Sequence, residues 1–372
     1  GRYRELFSLV SQLHSTLLDR SRPLWELHII EGLQNRQFAV YTKSHHAAVD
    51  GMRAIHISRC MLSADPNTVL SESPLSLHAW QQYRKALPSR QHEEYSDHEL
   101  LHVADLLKST FDSSAHMLGA LRAFSGALIG RSSDLSLPHL HVPRTSLNGR
   151  IDGARRFVAQ SWPFDRIHDL AKACDGTFND AVLAICAGAL RRYLQNHSEL
   201  PAESLKSMVP VSIRKESDLD SGNAIAFISA DLGTGISDPM QRFRAIQKSV
   251  QTGKAFFKDM TPKEAELVSL IMQLPTIALM SLGLISRLPP YNLAISNVPG
   301  IRQQMYWNGA RLDGTYPLSI VTDGMAMNIT LVTNNDSVDF GIIACRRSTP
   351  SAQRLIDYME TSLQELEDAA GI

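Results

Sequence analysis

The chain alternates short apolar strands with helical segments along most of its length, and this alternation limits the folds that it can adopt. A sheet or helix that is apolar on one face must bury that face against another element. Alternating strands and helices therefore predict an α/β fold built from packed layers. Hydrophobic residues make up 44% of the chain and charged residues 20%, which supplies enough apolar surface for such a core.

The spacing of apolar residues predicts where the elements lie. A period near 3.6 residues indicates helices, and short runs rich in β-branched residues indicate strands. The predicted helices cover residues 2–20, 52–62, 77–128, 164–173, 179–194, 241–257 and 352–366. The predicted strands cover residues 24–30, 37–42, 156–161, 207–213 and 224–232. Turn residues at 32–36 indicate that the first two strands form a hairpin.

Residues 131–150 differ in composition from the segments around them. They are rich in Ser, Pro, Asn and Gly and show little periodicity, so we interpret them as a linker between domains. An N-terminal domain of residues 1–130 and a C-terminal domain of residues 151–372 would flank it. The chain starts at Gly1 without a Met or a signal-peptide pattern, so we expect a segment to be missing from its front.

Charge and cysteine content argue against two broad classes of function. The formal net charge is -1, so electrostatic binding to nucleic acid is not expected. The cysteines are far apart and form no CxxC pair, which argues against a zinc or redox motif. They fit a reduced, intracellular setting. The four positions are Cys60, Cys174, Cys186 and Cys345.

Residues 267–286 carry no charged side chain, and a segment of that length could cross a bilayer. However, Gln273 and Pro275 lie in its middle, and four serines or threonines dilute it. A buried helix pair, a segment on a membrane surface and a transmembrane span are the alternatives. Pro275 is expected to break the stretch into two short helical pieces, which suits a position in the membrane interface.

The sharpest local feature is the sequence HHAAVDG at residues 45–51, between a predicted strand and a predicted helix. Adjacent histidines on an extended segment point to opposite sides, so one can face a reaction channel while the other packs inward. An imidazole with a pKa of about 6.5 can take a proton from an alcohol at neutral pH. Asp50 can be a direct partner or can fix the loop through an ion pair, and Gly51 allows close approach of backbone or ligand. A metal site and a pair of core histidines without function are the other interpretations.

The pattern HHxxxDG resembles the signature of the CoA-dependent acyltransferase superfamily, which includes chloramphenicol acetyltransferase and the condensation domains of peptide synthetases. Further segments narrow the resemblance to the bacterial wax ester synthase/diacylglycerol acyltransferase family. In chain order they are Pro23-Leu24-Trp25, TFNDAVLA at residues 177–184, VPVSIR at 209–214, Gly222-Asn223 and SNVPG at 296–300. Ala181 departs from the more usual Val, and Ile301 stands where Pro is common. The chain begins shortly after the family's PTP block, so part of the N-terminal domain would be absent.

The resemblance implies an α/β fold of two chloramphenicol-acetyltransferase-like domains with the active site in a tunnel between them. It implies an O-acyltransferase that moves an acyl group from acyl-CoA to a long-chain alcohol or diacylglycerol. His46 would be the general base, with no covalent acyl-enzyme, no metal and no bound cofactor; acyl-CoA is a co-substrate. Asp50 would be structural and paired with Arg214.

The remaining candidate residues follow from the same motifs. Asn179 is expected to cap its helix, to hold the tunnel wall or to donate to the oxyanion, and Asn297 has a similar ambiguity because SNVPG can be a turn. Trp25 is expected in the core rather than on a ligand. The catalytic set would be His46, His45 and Asp50, and the residues that support it would be Gly51, Asn179, Asp180, Arg214 and Asn297. Candidates for substrate contact are Pro23, Leu24, Trp25, Gly222, Asn223, Pro299 and Gly300.

The substrates of the family are nearly insoluble in water. We therefore expect a cytoplasmic protein that binds peripherally to the inner face of the cell membrane and to lipid inclusions. Two other functions fit the superfamily: an inactive lipid-binding relative, and a condensation-type enzyme with another acceptor or a carrier-bound donor. The intact HHxxxDG argues against the first, and the PLW and NDAVLA segments argue against the second.

Overall fold

The computed structural model describes residues 1–47, 49, 51–69, 76–78, 81, 85, 142–212, 225–258, 260 and 262–372. The helices are α1 (Tyr3–Ser15), α2 (Gly51–Cys60), α3 (Phe164–Ala173), α4 (Phe178–Asn196), α5 (Pro239–Phe257), α6 (Pro262–Ser281) and α7 (Leu355–Ala370). The strands are β1 (Trp25–Ile30), β2 (Ala39–Ser44), β3 (Arg155–Pro163), β4 (Lys206–Ser212), β5 (Ile225–Asp231), β6 (Leu293–Ile301), β7 (Tyr306–Trp307), β8 (Ala310–Arg311), β9 (Met327–Asn334) and β10 (Ser337–Cys345).

One sheet organises the second half of the chain. Its strands lie in the order β3-β10-β9-β6-β4-β5. The pairs β4–β6 and β6–β9 are parallel and the other pairs are antiparallel. β1 and β2 form a separate antiparallel hairpin, with Trp25 opposite Ser44.

One face of the sheet is covered by α3, α4, α5 and α7, which form the main core. α4 lies in the middle of this layer, and its residues 181–190 are almost fully buried. That position explains why the helix is apolar around its whole circumference rather than along one stripe. Gly188 permits close packing of α4 on α7, because a Cβ there would overlap the side chain of Ser362.

The opposite face carries α1 and the β1–β2 hairpin. Their apolar side chains pack on β3 and β10 in a second core of Leu6, Val10, Tyr41, Phe157, Ala159, Val321 and Ile343. β3 serves both cores because its side chains alternate, with Phe157 toward α1 and Val158 toward the main core. The N-terminal segment is therefore the second layer on this sheet, and the predicted α/β layering is confirmed.

Most predicted elements within the described residues are present, with shifted ends. α3 has the predicted bounds, whereas α1 ends at Ser15 rather than at residue 20. The prediction that Pro275 breaks the segment 267–286 is wrong, because α6 continues through it. Proline removes one helical hydrogen bond, but the burial of Val268 and Met272 against the core stabilises the part of the helix that precedes it. Most of the predicted helix over residues 77–128 lies outside the described residues.

None of the helices among the described residues is long and apolar enough to cross a membrane.

The end of the predicted linker is well packed. Residues 131–141 lie outside the described part of the chain, but Leu147 and Asn148 after them are buried. The Asn148 side chain donates to the carbonyl oxygens of Tyr291 (3.0 Å) and Gly324 (2.9 Å). It also accepts from Nδ2 of Asn292 at 2.8 Å. These bonds fix the entry into the second half of the chain against the start of β6.

The contact between α1 and the hairpin predicts an acid-sensitive fold. Nε2 of His14 contacts the carbonyl oxygen of Ser319 (3.2 Å), and Nδ1 contacts the Tyr41 hydroxyl (3.0 Å). Burial lowers the pKa of His14 to about 4, against about 6.5 for a free histidine. Between these values the unfolded chain binds a proton that the folded protein does not. We therefore expect the free energy of unfolding, measured by urea titration, to fall as the pH drops from ~6.5 to ~4.

The matched control is His14→Gln, which keeps a donor and an acceptor but does not titrate. Its free energy of unfolding should depend less on pH in the same range. Equal pH dependence in the two proteins would contradict the role of His14.

Candidate active site

The PLW segment and the histidine motif lie side by side. The β1–β2 ladder extends one residue past Trp25 and Ser44, where the carbonyl oxygen of Leu24 accepts from the backbone N–H of His45 at 3.0 Å. The turn before β2 sets this register, with Asn35 at a φ of 60° in the left-handed region that asparagine tolerates. Two motifs that are distant in sequence thus share one hairpin end.

The first histidine is held by the backbone around it. Nδ1 of His45 accepts from the Ala47 N–H at 3.2 Å, and its carbonyl oxygen accepts from the Val49 N–H at 3.2 Å. A neutral ring that accepts at Nδ1 carries its proton on Nε2. His45 is partly buried, and its contacts tie the turn that leads into α2.

The second histidine lies in the turn that follows β2. His46 is exposed, and no described residue hydrogen-bonds its ring. Residues 46 and 47 do not continue the strand, so the alternation expected for two histidines on an extended segment does not apply here. An exposed imidazole can approach a hydroxyl group.

α2 brings the histidine motif onto the sheet. Gly51 is the first residue of α2, and a Cβ there would lie 3.4 Å from Cγ2 of Val298 on β6. HHxxxDG and SNVPG, from opposite halves of the chain, are therefore in contact. Val298 faces α2, so Asn297 faces the other side, where its partner Leu331 belongs to the main core.

The far end of α2 is also tied to the second half of the chain. Ser63 and Tyr306 exchange backbone hydrogen bonds of 2.9 and 2.7 Å. Next to them, the Trp307 ring lies 6.0 Å from the ring of Phe38, which precedes β2. The short β7–β8 hairpin thus holds both ends of the segment that carries the histidines.

A close backbone approach explains the last glycine of SNVPG. The N–H of Gly300 donates to Oγ1 of Thr333 at 3.0 Å, and a Cβ at this position would overlap the Thr333 carbonyl oxygen. The β6–β9 register shifts between Val298 and Ile301, where the strands come this close. Pro299 is exposed beside it.

The expectation that Asn179 caps its helix is wrong. α4 begins at Phe178, and its N-cap is Thr177, whose side chain accepts from the Asp180 N–H. Oδ2 of Asp180 accepts in return from the Thr177 N–H (2.8 Å) and hydroxyl (2.7 Å). This is a capping box, and the spacing Thr-x-x-Asp signals it in the sequence. Oδ1 of Asp180 is buried and has no hydrogen-bond partner among the described residues.

An aromatic stack joins the start of α4 to the end of β6. The rings of Phe178 and Phe164 are stacked at 4.9 Å, and the guanidinium of Arg302 lies 3.5 Å from the centre of the Phe164 ring. The NDAVLA segment therefore lies beside SNVPG. Sequence patterns did not single out Phe164 or Arg302.

The remaining candidates have different outcomes. The expectation of a core position for Trp25 is wrong, because its side chain is 50% exposed on the outer face of the hairpin. Pro23 is exposed and Leu24 is partly buried. The residues Asp50, Arg214, Gly222 and Asn223 lie outside the described part of the chain, so the Asp50–Arg214 pair stays a prediction. Within the described residues, no three His, Cys, Asp or Glu side chains converge as metal ligands.

Known proteins match this chain along nearly its whole length. The wax ester synthase/diacylglycerol acyltransferase catalytic domain matches residues 1–182, and the WS/DGAT C-terminal domain matches residues 221–367. The O-acyltransferase WSD of Acinetobacter baylyi is 39% identical over 99% of this chain and 78% of its own. The solved wax ester synthase/diacylglycerol acyltransferase from Marinobacter aquaeolei VT8 is 37% identical, with a TM-score of 0.75 over 100% of this chain and 78% of that one. The first condensation domain of the CDA synthetase is 14% identical and shares the fold, with a TM-score of 0.52 over 99% of this chain and 72% of that one.

Fold and motifs together define an acyltransferase of the two-domain class that carries HHxxxDG, as the sequence predicted. The chain belongs to the wax ester synthase/diacylglycerol acyltransferase family.

Replacement of Gly300 by Ala should destabilise the protein. The added Cβ would overlap a backbone oxygen rather than a flexible side chain, so β6 and β9 must separate. We expect a loss of roughly 1–3 kcal/mol in the free energy of unfolding, as for other overpacked sites. Gly153→Ala is the matched control, because a Cβ there meets nothing within 4 Å. Equal melting temperatures for the two variants would disprove the steric role of Gly300.

Proposed function

We propose that this protein is an acyl-CoA-dependent O-acyltransferase that esterifies long-chain fatty alcohols, diacylglycerol or both, with His46 as general base. One observation carries the assignment of the base. Backbone contacts with Leu24 and Ala47 hold His45, whereas His46 is exposed in the turn before α2. Acyl-CoA is a co-substrate, and the reaction needs no bound cofactor.

The proposed reaction is a direct transfer. An imidazole nitrogen of His46 takes the proton of the alcohol hydroxyl as its oxygen bonds to the thioester carbon. The carbonyl π electrons move to oxygen and form a tetrahedral oxyanion. When the oxyanion collapses, the carbon–sulfur bond breaks and the CoA thiolate receives the proton from His46. A general base of this kind contributes ~10²–10⁴-fold to the rate.

The outer face of the hairpin supports a long-chain substrate. Trp25 and Ile29 are 50% and 58% exposed on the same side of β1. Exposed apolar side chains in a row are suited to bind an alkyl chain. We propose that the chain of one substrate lies along this face.

We expect His46→Ala to abolish transfer without unfolding the protein. Its thiol release from palmitoyl-CoA in the presence of hexadecanol or a diacylglycerol should fall by at least ~10²-fold, because a general base is lost. His45→Ala is the matched comparison and should be milder, since His45 acts through its backbone contacts. The omission of the alcohol controls for hydrolysis, and circular dichroism controls for folding. If folded His46→Ala kept about a tenth of the wild-type rate, the base would be misassigned. Wild-type protein that binds lipid but releases no thiol would instead be an inactive relative.

We further propose that α6 binds the protein peripherally to the inner face of the cell membrane and to lipid inclusions. Its residues Leu270, Leu274 and Ile277 form one helical stripe and are 44%, 53% and 49% exposed. Met280 and Leu282 extend this exposed apolar surface, and Arg287 follows it. Helices with one exposed apolar face lie in membrane interfaces. An enzyme bound there would meet its insoluble substrates.

The double variant Leu274→Asp/Ile277→Asp tests this proposal. Both side chains are about half exposed, so the variant should keep the wild-type melting temperature. It should no longer float with liposomes of anionic phospholipid, because charged side chains oppose insertion, yet it should still acylate a short soluble alcohol. Leu17→Asp is the control, because Leu17 is 89% exposed in the segment after α1 and is not part of α6. Continued flotation of the double variant would refute the proposal.

A further inference from the structure

Four side chains of β6 and β9 share the sheet face on which the histidine motif lies. Register pairs Ala294 with Asn328, Ser296 with Thr330, and Val298 with Val332. Side chains two residues apart on a strand share a face. Because Val298 contacts Gly51, the whole set of Ala294, Ser296, Asn328 and Thr330 faces the layer that contains HHxxxDG.

Two of these side chains form a buried polar pair. The hydroxyl of Thr330 donates to Oδ1 of Asn328 at 2.8 Å, and the two residues are 6% and 7% exposed. A hydroxyl that donates to Oδ1 fixes the orientation of the amide, which then presents the N–H groups of Nδ2 at its other end. A polar group that is buried away from water costs free energy unless it forms hydrogen bonds.

The pair lies on the strand next to the one that contacts the motif. Along β9, Thr330 is one side-chain repeat and Asn328 two repeats from Val332, the partner of Val298, which correspond to about 7 and about 13 Å. His46 is in the turn that leads into α2, whose first residue contacts Val298. The other asparagine considered from the sequence on this strand pair, Asn297, faces the opposite side.

We propose that Nδ2 of Asn328 donates a hydrogen bond to the oxyanion of the acyl transfer, and that Thr330 is the positioning residue that orients its amide. This inference rests on the proposed function. As the alcohol oxygen bonds to the thioester carbon, the carbonyl electron pair moves to oxygen and is stabilised there by the Asn328 N–H. Asn328 transfers no proton. When the carbon–sulfur bond breaks, the pair returns to form the ester carbonyl, and the thiolate takes its proton from His46.

Steady-state kinetics of Asn328→Leu, Thr330→Val and Thr330→Ser test the proposal. Loss of a preorganised oxyanion donor should lower kcat of Asn328→Leu by ~10²–10³-fold with little change in KM for palmitoyl-CoA. Thr330→Val should lose up to ~10-fold, since the amide is no longer held by a hydrogen bond, and Thr330→Ser should restore the rate. The control is Ser229→Ala. Ser229 lies in the same cross-strand row on β5, and its buried hydroxyl has no partner among the described residues.

The pH profile of kcat separates an oxyanion donor from a residue that acts on the base. Asn328→Leu should lower kcat by the same factor at every pH and leave the acid limb, which reports His46, in place. A shift of that limb, or a wild-type kcat in folded Asn328→Leu, would overturn this inference. If Asn328→Leu melts early, the isosteric Thr330→Val decides, and equal kcat for Thr330→Val and Thr330→Ser would overturn it.

Thiol release by the wild-type protein tests the proposed function separately from the role of Asn328. Wild-type protein that releases no thiol in response to alcohol would overturn both. Alcohol-dependent release by the wild type, combined with unchanged kcat in the variants, would overturn the role of Asn328 alone.

Discussion

The backbone hydrogen bond from His45 to the carbonyl oxygen of Leu24 is the constraint on which the site depends. It extends the hairpin register to the first histidine and thereby sets where the chain leaves β2 and enters the turn that contains His46. A register shifted by one residue would move the side chains of β2 to the other face of the hairpin. Tyr41 would then leave the second core, which fixes the hairpin on the sheet.

The sheet supplies the other half of the site because it is a rigid platform for a layer from the first half of the chain. α1 packs on β3 and β10, α2 lies on β6, and the β7–β8 hairpin holds the end of α2 through Tyr306. Each contact brings together residues more than a hundred positions apart. The placement of the histidine motif relative to β6 then follows from packing on one sheet.

The glycines of the motifs have mechanical roles. Gly51 lets α2 approach Val298, and Gly300 lets β6 approach the backbone of β9. Both glycines can therefore be required for packing without contact to a substrate. The same distinction applies to NDAVLA, where Asp180 completes a capping box with Thr177 and thereby sets the start of α4.

Local patterns in the sequence determined the α/β class, most element positions and the family, because periodicity, turn residues and contiguous motifs depend on near neighbours. The capping box of Thr177 and Asp180 is also a local signal, and it gives α4 a different N-cap from the adjacent Asn179. Tertiary structure alone decided that Trp25 is exposed and that α6 continues through Pro275. It also decided that Asn328 and Thr330 lie on the sheet face that Gly51 packs against. Those outcomes depend on strand register and on which surfaces meet, and register is set by pairing between strands far apart in the chain.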